Sequence, residues 1–152
     1  MQIQLSALAL PDIVCDAVAI GVSTDSLDQT IAALEGLFDG QLATTLANED
    51  FKGKSSQIKS YPTFGRLKAP RIFLVGTGDG DINGLQQAAG LAGHAARKLG
   101  AETVALTLGA LDSSQTQRVV EAYHAGNYRF DKYKPETDRK ARTAELILVG
   151  DA

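Results

Sequence analysis

At 152 residues the chain is long enough for one domain with a real core and too short for two comfortable ones. Its 44% hydrophobic and 22% charged residues are ordinary for a water-soluble globular protein, and no apolar stretch approaches a membrane span. A net charge of −3 removes any general electrostatic drive toward nucleic acid or anionic membrane.

The N-terminal stretch MQIQLSALALPDIVCDA lacks the basic region of a secretion signal, and Gln2, Gln4, Ser6 and Pro11 interrupt its apolar residues. A cytoplasmic location is therefore expected. Within it, Ile3 and Leu5 alternate with polar residues, the period-two pattern of a half-exposed strand at a sheet edge. Pro11-Asp12 marks a turn. Cys15 is the single cysteine, so no internal disulfide or thiolate cluster can form, and beside an apolar run it reads as a small buried hydrophobe.

Residues Ala17 to Val22 (AVAIGV) are apolar on both faces, as in a central strand. Ser26 with Gln29 has the spacing of a capping box for a first helix, whose core face is Leu27, Ile31, Leu34, Leu37 and Phe38, with Gly40 expected in the left-handed conformation beyond its end. Residues 41–70 carry weaker signals. Gln57 to Phe64 reads as a strand that Pro62 confines to an edge.

The clearest unit is Arg71 to Gly100. Ile72 to Val75 form a buried strand, and Leu85, Ala88, Ala92, Ala95 and Leu99 repeat at helical spacing, widened by Ala89 and Ala96. Asn83 is placed as N-cap and Gly100 as the left-handed residue past the end. An alanine-rich stripe suits close packing on a sheet. Thr103 to Leu108 is a further buried strand. Ser114 with Gln117 repeats the capping-box spacing for a helix whose stripe is Val119 or Val120, Tyr123, Gly126 and Phe130. A charged connector, Asp131 to Thr143, leads to a last strand, Ala144 to Val149. The order β-β-α-β-β-α-β-α-β predicts a three-layer α-β-α domain with a mixed, mostly parallel sheet.

Gly76-Thr77-Gly78-Asp79-Gly80-Asp81 invites a reading as a phosphate cradle. A dinucleotide fingerprint needs a third glycine where Asp81 stands, and a P-loop needs Lys followed by Ser or Thr. Two aspartates also oppose an anion at a helix N-terminus. The residues favour a tight structural turn. His94 and His124 are far apart and belong to no compact ligand spacing, which favours surface histidines over metal ligands. Asp12, Asp16 and Asp25 flank the second strand, where capping explains them as well as ligand contact does. Tyr128 to Arg142 (YRFDKYKPETDRKAR) sets six basic residues against three acidic ones among Tyr128, Phe130 and Tyr133. Solvated charge beside a finished core face ranks first there, protein contact second and single-stranded nucleic acid third.

Four pieces in order, FKGK at Phe51–Lys54, RIFLVGTG at Arg71–Gly78, AARKLGA at Ala95–Ala101 and YRFDKYK at Tyr128–Lys134, resemble the N-terminal domain of the leucyl (cytosol) aminopeptidases, the M17 metallopeptidases. The similarity spans nearly the whole chain. The resemblance implies a macro-domain-like α/β fold. It also implies a cytoplasmic, hexameric enzyme that removes N-terminal residues from peptides with two divalent metals, zinc or manganese. The family's metal ligands and catalytic Lys and Arg lie in a C-terminal domain whose signature N-T-D-A-E-G-R does not occur here. No catalytic, metal or cofactor residue is therefore expected in residues 1–152, and the expected partners are that catalytic domain and further copies of the parent enzyme. The rival expectation is a free-standing module that binds ADP-ribose or a nucleotide, with Asp16 in the binding role. Ser23, Thr24 and Asp25 stand where such modules place asparagines.

Overall fold

The computed structural model describes residues 2–6, 12–35, 40–63, 65–109, 111–129 and 143–149. Their elements run β1 (Gln2–Ser6), β2 (Ala17–Ser23), α1 (Leu27–Leu34), α2 (Leu42–Asn48), β3 (Ile58–Pro62), β4 (Arg71–Gly78), α3 (Ile82–Leu99), β5 (Thr103–Thr107), α4 (Ser113–Arg129) and β6 (Glu145–Val149). The six strands form one sheet in the order β1-β6-β5-β2-β4-β3. All neighbours pair in parallel except β3, which runs antiparallel to β4. The edge positions expected for β1 and β3, and the central place of β2, are all present.

Strand alternation divides the core in two. On one face Val18, Ile20, Val22, Ile72, Leu74, Ala105, Ile147 and Val149 meet α1, α2 and the flanking Ile13, Phe51 and Leu67. On the other, Ala17, Ala19, Phe73, Val75, Val104, Leu106, Leu146 and Leu148 meet α3 and α4. The alanine stripe of α3 packs as expected, with Ala88, Ala89, Ala92 and Ala96 fully buried, although Leu99 at its end is exposed. Gly100 has φ 75° and closes a Schellman motif, its N–H donating to the Arg97 carbonyl and that of Ala101 to Ala96. Gly40 is left-handed as expected, at φ 77°. Leu37, Phe38, Phe130 and Pro11 lie outside the described residues.

Four expectations are corrected. The segment 41–70 contains a helix, α2, that its two core contacts Leu42 and Leu46 hold in place. The N-cap of α3 is Asp81, not Asn83: its Oδ1 accepts the Gly84 N–H at 2.8 Å. The capping box of α4 is Asp112 with Gln115, two residues earlier than expected; Gln115 N donates to Asp112 Oδ1 at 2.8 Å and Asp112 N to Gln115 Oε1 at 3.0 Å. Ser26 does stand before α1, but its hydroxyl makes no cap; it accepts the Ser23 N–H at 3.1 Å instead.

Candidate functional site

In open α/β sheets ligands bind outside the carboxyl ends of the strands. Here those ends are Ser23 of β2, Gly78 of β4 and Thr107 of β5, and the glycine-rich segment lies among them. The expected turn is shorter than its sequence suggests. Gly76, Thr77 and Gly78 belong to β4, and only Asp79 and Gly80 separate it from the Asp81 cap of α3. Gly78 and Gly80 take φ of 64° and 80°, which favour glycine. Gly76 is glycine for another reason.

The chain from Phe51 to Gln57 runs across the carboxyl ends of β2 and β4. The Gln57 side chain organises it, its Oε1 accepting the N–H groups of Lys52 and Lys54 while its Nε2 donates to the Asp50 carbonyl. The crossing then hydrogen-bonds to β4: Gly78 N donates to Gly53 O at 2.9 Å and Gly76 N to Gln57 O at 2.8 Å. A Cβ on Gly76 would overlap the Lys54 carbonyl oxygen, one on Gly78 would lie 2.6 Å from Ser55 Oγ, and one on Gly53 would lie 2.8 Å from Ser23 O. Beside them Leu108 leans over Gly21, where a Cβ would come within 2.5 Å of its Cδ2. The two glycine motifs FKGK and GTG are thus one contact, backbone on backbone. The Gly76 and Gly78 N–H groups therefore already donate to the protein's own loop, and the Asp81 carboxylate already engages the α3 N-terminus.

The remaining candidate residues are dispersed. Cys15 is buried, and burial raises its thiol pKa, leaving a protonated small hydrophobe. Asp16 lies at the opposite, amino end of the strands, where Oδ2 accepts the N–H groups of Glu102 and Thr103 at 2.9 and 3.1 Å. That carboxylate joins β2 to the start of β5, which is a structural task. Asp12 and Asp25 are exposed. His94 is exposed on α3 and lines a shallow groove of about 660 Å³ between α3 and α4. His124 is exposed on α4 with its ring 6.0 Å from that of Tyr128. Among the described residues no three His, Cys, Asp or Glu side chains converge as a metal site would require. Of the aromatic and basic segment, Tyr128 is exposed, while the Arg129 side chain and residues 130–142 lie outside the described residues.

A buried polar network escaped the sequence reading. Thr143 N donates to Asn127 Oδ1 at 3.0 Å, Asn127 Nδ2 donates to Gly93 O and to Thr143 Oγ1, and the Tyr123 hydroxyl meets Thr143 Oγ1 at 2.7 Å. Arg97 Nη1 donates to the Asn127 carbonyl at 3.2 Å, and this arginine is only 2% exposed. Burial also raises the Tyr123 pKa, so its phenol stays protonated. The network ties α3 and α4 to the entry of β6. Its one sequence signal is Arg97 in the last turn of an apolar-faced helix, where a solvated cation is the ordinary reading.

A mixed, mostly parallel sheet between two helical layers, with a loop laid across the carboxyl ends of β2 and β4, defines a macro-domain-like α/β domain. The solved structures agree: the chain superposes on the macrodomain of Thermus aquaticus DarG with TM-score 0.65 over 97% of both chains at 14% identity. It superposes on a mutant of tomato leucine aminopeptidase with TM-score 0.79, over 99% of this chain and 32% of that one at 20% identity. The family model of the cytosol aminopeptidase family, N-terminal domain, matches residues 18–137, and the chain belongs to that family. A probable cytosol aminopeptidase of Geotalea uraniireducens is 30% identical over 149 residues, which are 91% of this chain and 30% of that protein. The chain thus spans about a third of the length of the curated relatives it matches.

Proposed function

We propose that residues 1–152 form a single non-catalytic N-terminal domain of a cytoplasmic leucyl aminopeptidase, a bimetallic peptidase that releases N-terminal amino acids from peptides. The domain serves assembly of a hexamer or access of substrate to a catalytic portion elsewhere in the parent enzyme. The observation that carries this reading is the family match over residues 18–137 in a chain that spans about 30% of its relatives' length. The described residues do not fit a pair of zinc or manganese ions, because His94 and His124 are exposed on helices and no acidic side chains gather beside them. The chemistry of peptide hydrolysis is assigned to that other portion.

With leucine p-nitroanilide and added manganese or zinc, the purified chain is expected to give no turnover above a metal-only control. Turnover above that control would falsify the reading. The macro-type fold also raises ADP-ribose as a ligand, and the loop Phe51–Gln57 argues against it. Calorimetry is expected to give no binding heat at millimolar ADP-ribose; a saturable isotherm would instead favour a free-standing nucleotide-binding module.

A further inference from the structure

The two edges of the sheet are built differently. The outer strand β3 has the features that discourage edge-to-edge pairing: Lys59, Pro62 at its end, and Tyr61, whose hydroxyl donates to Glu49 beyond α2. The other edge, β1, has none of them. Gln2–Ser6 carries no charge, no proline and no bulge, and pairs in unbroken register with β6. It also holds two of the most exposed large apolar side chains among the described residues, Leu5 at 81% and Ile3 at 42%.

Register fixes where these side chains point. Ile3 pairs with Leu146 and Leu5 with Leu148, both buried on the α3–α4 face. The apolar row of that face therefore runs from β6 onto β1 and out past its helical cover. The backbone is arranged to match. Gln2 N donates inward to Ala144 O, so by the alternation of a strand Gln2 and Gln4 bond to β6, while the N–H and C=O groups of Ile3 and Leu5 face outward. Among the described residues no strand pairs with that outward row.

We propose that β1 is a homotypic docking edge that pairs antiparallel with β1 of a second copy of this chain. The segment QIQLS is self-complementary about Gln4. A two-fold axis through Gln4 places Ile3 opposite the second copy's Leu5, and Leu5 opposite its Ile3. Each such couple is the hydrogen-bonded pair of an antiparallel ladder, with outward donors and acceptors already at the required positions. The apolar side chains meet on the α3–α4 face, and the two glutamines meet on the other. The two sheets become one, with the helices of both copies on matching sides. Five residues a side is far below a standard interface, so the isolated chain associates weakly, with a dissociation constant on the order of 0.1–1 mM. The pairing asks nothing of the catalytic portion and stands apart from the peptidase reading.

Sedimentation equilibrium of the 152-residue chain from ~20 μM to ~2 mM tests it across that weak range. The average mass is expected to rise from 16.0 kDa toward twice that value, with concentration-dependent amide shifts centred on Gln2–Ser6. Leu5→Lys and Ile3→Glu are each expected to weaken association roughly tenfold or more, since each sets a charge against an apolar partner. The double variant Ile3→Glu/Leu5→Lys is expected to recover it in low salt, because in the antiparallel register every introduced carboxylate faces an introduced ammonium. Circular dichroism and melting of each variant separate lost association from lost fold. A mass that stays at the monomer through ~2 mM overturns the proposal and leaves β1 to a strand of a different protein. Association that persists unchanged in both single variants overturns it too, as does failure of the folded double variant to recover.

Discussion

On the α3–α4 side of the sheet the helix backbones lie directly against their neighbours, whereas on the α1–α2 side large side chains fill the gap. A Cβ on Gly84 would overlap the Thr77 carbonyl oxygen of β4, one on Gly93 would overlap the Tyr123 carbonyl of α4, and one on Gly126 would overlap the Gly90 carbonyl of α3. Between those glycines sit Ala88, Ala89, Ala92 and Ala96. Across the sheet the contacts come from Leu34, Leu42, Leu46, Phe51 and Leu67, partly from loops. One side is specified by what its side chains lack and the other by what they supply. The first should resist enlargement and the second truncation. Close backbone approach also explains why the buried polar network lies on the α3–α4 side, where Asn127 satisfies the Gly93 carbonyl at the helix crossing.

The largest effect is expected at Gly93. A methyl group there must displace the Tyr123 carbonyl, and Asn127 N would lie 2.9 Å away. Gly93→Ala should cost ~3 kcal/mol, despite ~1 kcal/mol of gained helix propensity, because the helices must separate. Gly90→Ala, one turn earlier, is the control. Its Cβ would meet Ala122 O at an ordinary 3.7 Å. That variant should be neutral or stabilising by up to ~1 kcal/mol. Urea melts of both decide the matter, and equal losses at the two sites would remove the idea that backbone contact sets this face.

On the opposite face Leu46→Ala should cost ~2–3 kcal/mol, since it empties a fully enclosed position that α2 shares with Leu42. Leu46→Met, which keeps the volume, should stay within ~1 kcal/mol. If truncation were as mild as the Met exchange, α2 would be loosely attached and this face would not depend on its large side chains.

How far the sequence revealed this architecture depended on how local each signal was. The strands were legible because Ala17–Val22, Ile72–Val75 and Thr103–Leu108 are short apolar runs that only a covered sheet accommodates. Gly100 was legible because a helix end needs a left-handed residue. α2 was not, since LATTLAN has two core residues and no cap to announce it. The glycine segment was half legible. The two aspartates and the missing third glycine favoured a structural turn, and Gly78 and Gly80 do take left-handed φ there, but the reason for Gly76 is a loop some twenty residues earlier in the chain. No local pattern reports that Lys54 O will lie where its Cβ would be. The Asn127–Thr143 pair was hidden in the same way, by a contact that exists only after α4 and β6 have docked.

The smallest expected effects separate two helix starts that look alike in sequence. Both D-S-S-Q-T-Q before α4 and S-L-D-Q before α1 contain a capping residue followed by glutamine three positions on. In the α4 segment the spacing occurs twice, at Asp112/Gln115 and at Ser114/Gln117, and the reciprocal hydrogen bonds select the first. Asp112→Ala should therefore cost ~1 kcal/mol through loss of the cap and of its charge near the helix N-terminus. Gln29→Ala should change stability by less than ~0.5 kcal/mol, because Ser26 is engaged with Ser23 and no capping box forms at α1. A double-mutant cycle sharpens the contrast. Coupling between positions 112 and 115 should be measurable at ~0.5 kcal/mol or more, and that between 26 and 29 should vanish within error. Equal couplings would mean that α1 closes the box its sequence spells and that its first turn is held as α4's is.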